Sequence, residues 1–133
     1  AGLANAAKFK AWISDSTTSP SQRLFHGRGR YELVNGLLVA ESWEALLAGE
    51  LHFPIEVTEK GETHHTSVWT GSAPDGTAVP GSGHCLDWTS SSLLQTAFYG
   101  VSSEITADWT LADVQANPTP CNTELALYCV EQE

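Results

Sequence analysis

SVWTGSAPDGTAVPGSGHCLDW, running from Ser67 to Trp88, opens as a strand, breaks into a long loop and closes on a cysteine with a tryptophan three residues beyond it. Val68 and Thr70 alternate around Trp69, which suits a half-buried strand. Pro74-Asp-Gly76 then supplies a fixed φ, an Asx-type side chain and a permissive glycine, the chemistry of a turn. The loop that follows is long and has no obvious element of its own. Loops of that length are uncommon in compact domains unless they are functional or tied down. Cys85 is available to tie this one down.

Composition bounds what such a loop can belong to. With 133 residues the chain reads as one domain, large enough to bury a core of its own. Six Lys and Arg against sixteen Asp and Glu leave a formal charge of -10, which argues against nucleic acid and anionic membrane surfaces as partners. No apolar run is long enough for a membrane helix. The first residues lack a basic n-region and a cleavage pattern, and Met is absent throughout, so the chain reads as a mature or trimmed piece. Cys85, Cys121 and Cys129 lack the C-x-x-C spacing of a metal or redox site. In an extracytoplasmic domain two of the three would pair, leaving the third free or committed to a partner outside this chain.

On the N-terminal side, Ala1 to Ala7 reads as the tail of a helix. Phe9, Ala11 and Ile13 alternate with Lys8, Lys10 and Trp12, predicting a first strand with one face buried. Thr17 to Arg30 reads as a loop carrying Arg23, His26, Arg28 and Arg30, and so holds three of the six Lys and Arg residues. Asn35-Gly36 between two apolar runs predicts a hairpin with a type I′ turn. Ser42 predicts an N-cap for a short helix, Trp43 to Ala48, ending at Gly49. Pro54 restricts Phe53 to Val57 to an edge strand or an extended linker, and Glu59 to Glu62 reads as a turn.

On the C-terminal side, Asn117-Pro-Thr-Pro-Cys121 reads as a rigid turn. Glu124 to Glu131 predicts a final strand with Leu125, Leu127 and Cys129 on one face and Ala126, Tyr128 and Val130 on the other. Apolar residues on both faces predict a central strand, covered on both sides.

Taken in order, Phe9-Lys-Ala-Trp-Ile-Ser14, Ser42-Trp-Glu-Ala-Leu-Leu-Ala-Gly49, Ser67-Val-Trp-Thr-Gly-Ser-Ala-Pro-Asp-Gly76, Cys85 with Trp88, and Cys121 with Leu127-Tyr-Cys-Val-Glu131 resemble the endostatin domain found at the C-terminus of certain collagens. The resemblance is closer to bacterial endostatin-like surface proteins, such as the leptospiral endostatin-like family, and covers nearly the whole chain. It implies an α+β, C-type-lectin-like fold with a mixed or antiparallel sheet, short helices and long disulfide-pinned loops, in which the first and last strands pair. It also implies an inner disulfide between Cys85 and Cys121. Cys129 would belong to an outer bond with a cysteine on the N-terminal helix, but no cysteine precedes Cys85 here. Cys129 is therefore unpaired within this chain, and residues 1–133 read as a single endostatin-like domain truncated at its N-terminal helix.

Several chemistries compete with plainer roles for the same residues. Calcium-binding lectins use E/Q-P-N/D and W-N-D motifs, because a hard cation wants several oxygen ligands. Neither motif occurs here, and the nearest oxygens are those of Asp75, Asp87, Asp108 and Asp113, with Asp75 better suited to its turn. His64 and His65 are adjacent in an extended run and point to opposite faces, which disfavours a shared zinc ion. Thr89-Ser-Ser-Ser92 reads as a polar loop or helix cap, and His84 beside Cys85 offers no nucleophile once that sulfur is in a disulfide. No cofactor is expected, calcium being the only ion with a supply of ligands.

Binding candidates remain. Arg23, His26, Arg28 and Arg30 form the best polar cluster, falling where the resemblance places an arginine-bearing polyanion region, with ion pairing to nearby carboxylates as the plainer role. Of the five tryptophans, Trp109 lies in the most loop-rich stretch and is the candidate for an exposed anchor. The loop between Gly71 and His84, with the region from Ser90 to Pro120, is the expected binding surface.

The expected function is a non-enzymatic extracellular or cell-surface binding and adhesion module. Its partner would be a matrix protein, host protein or glycan, with no membrane insertion, and it would stand alone or within a larger surface protein or oligomer. A structural domain capping a surface fibre is the alternative, and a calcium-dependent lectin the third reading.

Overall fold

The computed structural model describes residues 6–81, 84–115 and 117–132. The helix expected over Ala1 to Ala7 falls mostly outside them; Ala6–Lys8 forms a single 3-10 turn. The fold is α+β, with short helical turns and small antiparallel sheets. β1 (Phe9–Ala11) is the first strand, and α1 (Pro20–Arg23) follows it in the stretch expected to be a loop. Ser19 at the N-cap, Pro20 at the first helical position and Gln22 explain the helix: Gln22 Oε1 accepts from the Ser19 backbone N–H at 3.0 Å. This S-x-x-Q signal is legible in the sequence but sits in a run otherwise rich in loop formers.

β2 (Tyr31–Glu32) and β3 (Leu38–Ala40) make the expected hairpin, but its turn is not type I′. Leu33 N–H donates to Leu37 O and Gly36 N–H to Leu33 O, both at 2.9 Å, with positive φ at Gly36 alone. The connection is a three-residue loop closing on a left-handed glycine, the next most favoured hairpin after the two-residue kind. The Asn35 side chain reinforces it by accepting from Leu37 N–H at 3.2 Å. α2 (Trp43–Leu46) starts as expected, with Ser42 Oγ accepting from Ala45 N–H at 3.1 Å, and ends before Ala48. The segment around Pro54 is a linker that forms only a bridge between Val57 and Thr63.

β4 (Ser67–Trp69) is the strand expected at the start of the central stretch, with Val68 and Thr70 buried and Trp69 half-buried. Its turn at Pro74 to Gly76 also forms: Ala73 N–H donates to Thr77 O, and Asp75 Oδ1 accepts from Thr77 N–H at 3.0 Å. Beyond it, His84–Trp88 winds into a left-handed turn, every residue having φ between +46° and +65°. β5 (Thr96–Ala97) pairs with β7 (Thr119–Pro120), and β6 (Tyr99–Val101) pairs with β4. The expected turn from Asn117 to Cys121 therefore contributes two residues to a sheet. β8 (Cys129–Glu131) pairs with β1 in the register Phe9↔Glu131, Lys10↔Val130, Ala11↔Cys129, so the first and last strands do pair.

Two expectations about face fail at this pairing. β1 stops at Ala11, and Trp12, expected to share a face with the lysines, is 1 % exposed. Burying the largest side chain of the segment against Trp43 and Trp109 overrides simple alternation, and its indole N–H donates to Thr110 Oγ1 at 2.8 Å. The last strand is central in its bonding, because Tyr128 O accepts from Trp12 N–H on one side and Ala126 O from Trp69 N–H on the other. It is not covered on both faces: Tyr128 is buried, but Leu127 is 52 % exposed and Cys129 is exposed.

The main core gathers Trp12, Trp43, Val39, Leu46, Val68, Trp109 and Tyr128, joining both ends of the chain to its middle. A separate small cluster of Cys85, Ala97 and Cys121, flanked by Trp69 and Trp88, surrounds the Cys85–Cys121 disulfide. Asn117 ties the long C-terminal loop to the sheet by acting like a strand residue. Its Oδ1 accepts from Tyr99 N–H at 3.1 Å, and its Nδ2 donates to Tyr99 O and Ala112 O at 2.9 Å each. Asn117→Ala leaves Tyr99 N–H and Ala112 O without these partners, while Tyr99 O keeps the Ala112 N–H, and is expected to cost about 2–3 kcal/mol. The check is urea denaturation: the midpoint falls while the slope stays constant.

Candidate functional site

A groove of about 830 Å³ opens between the β1–β8 pair, the start of the β2–β3 hairpin and the linker from Ile55 to Glu59. Phe9, Phe25, Tyr31, Ile55, Val57 and Leu127 give it apolar walls, and the buried rings of Trp12 and Trp109 lie behind them. The local folding explains why these side chains meet. Pairing β1 with β8 sets Phe9 opposite Glu131 and Ala11 opposite Cys129, and the linker after Pro54 brings Ile55 and Val57 to the same groove.

Part of the charge lining the groove is engaged by neighbours. Arg30 pairs with Glu32 at 2.9 Å, and His65 with Glu56 at 2.9 Å. Cys129 lines the groove, where partial enclosure, followed by the Glu59 carboxylate, holds its thiol above the ordinary pKa. The sulfur is thus kept as the poorly nucleophilic thiol.

The polar cluster predicted from sequence is largely dispersed. Arg23 Nη2 donates to Ala11 O and Ile13 O, covering the free carbonyls on the outer edge of the first strand. His26 stacks on Trp43 with ring centroids 4.1 Å apart and its Nε2 meets Ser21 O at 2.7 Å. Arg28 and Arg30 both line the groove, and Arg30 is the one paired with Glu32. Asp75 is held by Thr77, whose hydroxyl and N–H push its carboxyl below the usual range, so it serves its turn.

Trp109 corrects the sequence reading most sharply. It is 1 % exposed, packed against Trp12 and Tyr128, and is a core residue rather than an exposed anchor. Among the described residues, the loops expected to form the binding surface contribute only Ser102 and Trp109 to the groove. Sequence reasoning missed Phe9, Phe25, Ile55, Val57 and Leu127; the only available signal was the apolar second face of the last strand, read there as buried.

The metal candidates stay apart. Asp87 Oδ1 and Oδ2 accept from Ser16 N–H and Ser16 Oγ at 2.7 Å each, and His65 pairs with Glu56. Among the described residues no three His, Cys, Asp or Glu side chains are grouped to hold an ion. No helix among them is long and apolar enough to cross a membrane. No protein-family model matches the chain, and no curated protein matches it.

Proposed function

We propose that this chain is a non-enzymatic extracellular binding module with an endostatin-like, C-type-lectin-like scaffold, and that it takes a protein partner in the groove beside β8. The observation that carries this reading is the groove itself: an apolar hollow whose exposed Leu127 and aromatic walls have the make-up of a recognition surface. The disulfide agrees with an oxidising compartment. A polyanion is a poorer fit, because Arg23 and Arg30 are already engaged and the chain carries a net charge of -10.

The partner class implied by the resemblance is an extracellular matrix or plasma protein. Binding to immobilised laminin, fibronectin and heparin, each at low and high salt, tests it. Leu127→Lys is expected to weaken protein binding at least tenfold, about 1.4 kcal/mol, while Arg28→Ala with Arg30→Ala changes it less than threefold. The reverse pattern, with heparin binding lost in the arginine variant, would return the site to the basic loop. Millimolar calcium is expected to leave the melting temperature unchanged, and a clear rise would instead favour a lectin.

A further inference from the structure

The left-handed turn at His84–Trp88 contains five consecutive residues with positive φ, and none of them is glycine. For L-residues this conformation drives Cβ toward the following carbonyl, so it is normally visited by single residues and not by runs. A run of this kind persists only where its surroundings over-determine it. Four ties do so here. Cys85 is bonded to Cys121, Asp87 accepts twice from Ser16, Trp88 Nε1 donates to Ser14 O at 2.8 Å, and the His84 ring lies against Gly71. Within the turn, Cys85 O accepts from Thr89 N–H at 3.1 Å and Ser90 N–H at 2.9 Å.

We propose that the Cys85–Cys121 bond is a redox-operated latch on this turn, and that its reduction releases residues 84–90 and uncovers Trp69 and Trp88 while the main core stays folded. The disulfide is the one covalent tie, and Asp87 with Ser16 sits where water competes for the same hydrogen bonds. The cluster that the turn caps shares no residue with the main core, so it can open separately. Both sulfurs are enclosed, Cys85 being 3 % and Cys121 7 % exposed, so a reductant reaches them as the turn opens. A dithiol then supplies the two electrons. Its thiolate attacks one sulfur and expels the other, and its second thiol displaces the first, leaving two protein thiols and an oxidised cyclic disulfide.

Amide hydrogen exchange on the full chain, with and without dithiothreitol, tests the latch. Reduction is expected to speed exchange at Ser16, Thr89 and Ser90 at least tenfold, while Trp12, Leu46 and Leu47 change less than threefold. Cys85→Ser with Cys121→Ser should reproduce the reduced pattern without reductant. Leu86→Gly removes one Cβ from the strained run and should shrink the acceleration at least threefold. The latch is overturned if the three turn amides do not respond to reduction, if the core amides lose protection with them, or if Leu86→Gly leaves the acceleration unchanged.

Discussion

Gly100→Ala is expected to abolish the native fold. Gly100 lies in β6, opposite Val68 of β4, and the 3-10 turn at Ala107–Trp109 crosses directly over it. A Cβ built there would stand 2.1 Å from Trp109 O, 2.6 Å from Trp109 C and 2.7 Å from Thr110 Cα. All three atoms are backbone, so no side-chain rotation relieves the overlap. Moving β6 away would break its pairing with β4, and moving the turn would draw Trp109 from the core and strain the Ala112 N–H to Tyr99 O bond of 3.0 Å. Overpacking that ordinary cores absorb for about 1–3 kcal/mol is here expected to exceed about 4 kcal/mol, a large share of the stability of a small domain. Gly29→Ala is the control, because an added Cβ there has no neighbour within 4 Å. Circular dichroism should show a native spectrum for Gly29→Ala and a disordered one for Gly100→Ala.

Trp12→Ala is expected to lower stability by about 3–5 kcal/mol. The Trp12 ring lies 4.9 Å from that of Trp109 and 6.1 Å from that of Trp43, so its loss opens a cavity where the first strand meets the core. Its indole N–H also donates to Thr110 Oγ1, which itself donates to Ser72 O at 3.0 Å. Trp12→Phe separates the two contributions by keeping most of the ring contact and removing the donor, at an expected cost of about 1–2 kcal/mol. Urea titrations of both variants check the ordering. Equal costs would mean that the hydrogen bond, rather than the packing, dominates.

Local chemistry explains which elements could be read in advance. The Ser42 cap, the Pro74 to Gly76 turn and the half-buried strand at Ser67 each depend on residues adjacent in the chain, and each formed as expected. The hairpin at Asn35-Gly36 was legible as a hairpin but not in its turn type, because two loops suit the same dipeptide and the strand register chooses between them. The site was far less legible. Arg23, His26, Arg28 and Arg30 are close in sequence, yet backbone carbonyls, the Trp43 ring and Glu32 claim three of them for separate tasks.

The sequence by itself determined an acidic chain of short strands and turns, and its resemblance implied both the Cys85–Cys121 pairing and the meeting of the first and last strands. Only the tertiary structure decided which surfaces are available. Trp109 and Leu127 show why, since each is an apolar residue whose local pattern suits either a core or a surface. Long-range packing buries Trp109 against Trp12 and Tyr128, and leaves Leu127 on the open side of a strand that is bonded along its edges but uncovered on one face. Periodicity states which side chains share a face; it carries no information about whether another element arrives to cover it.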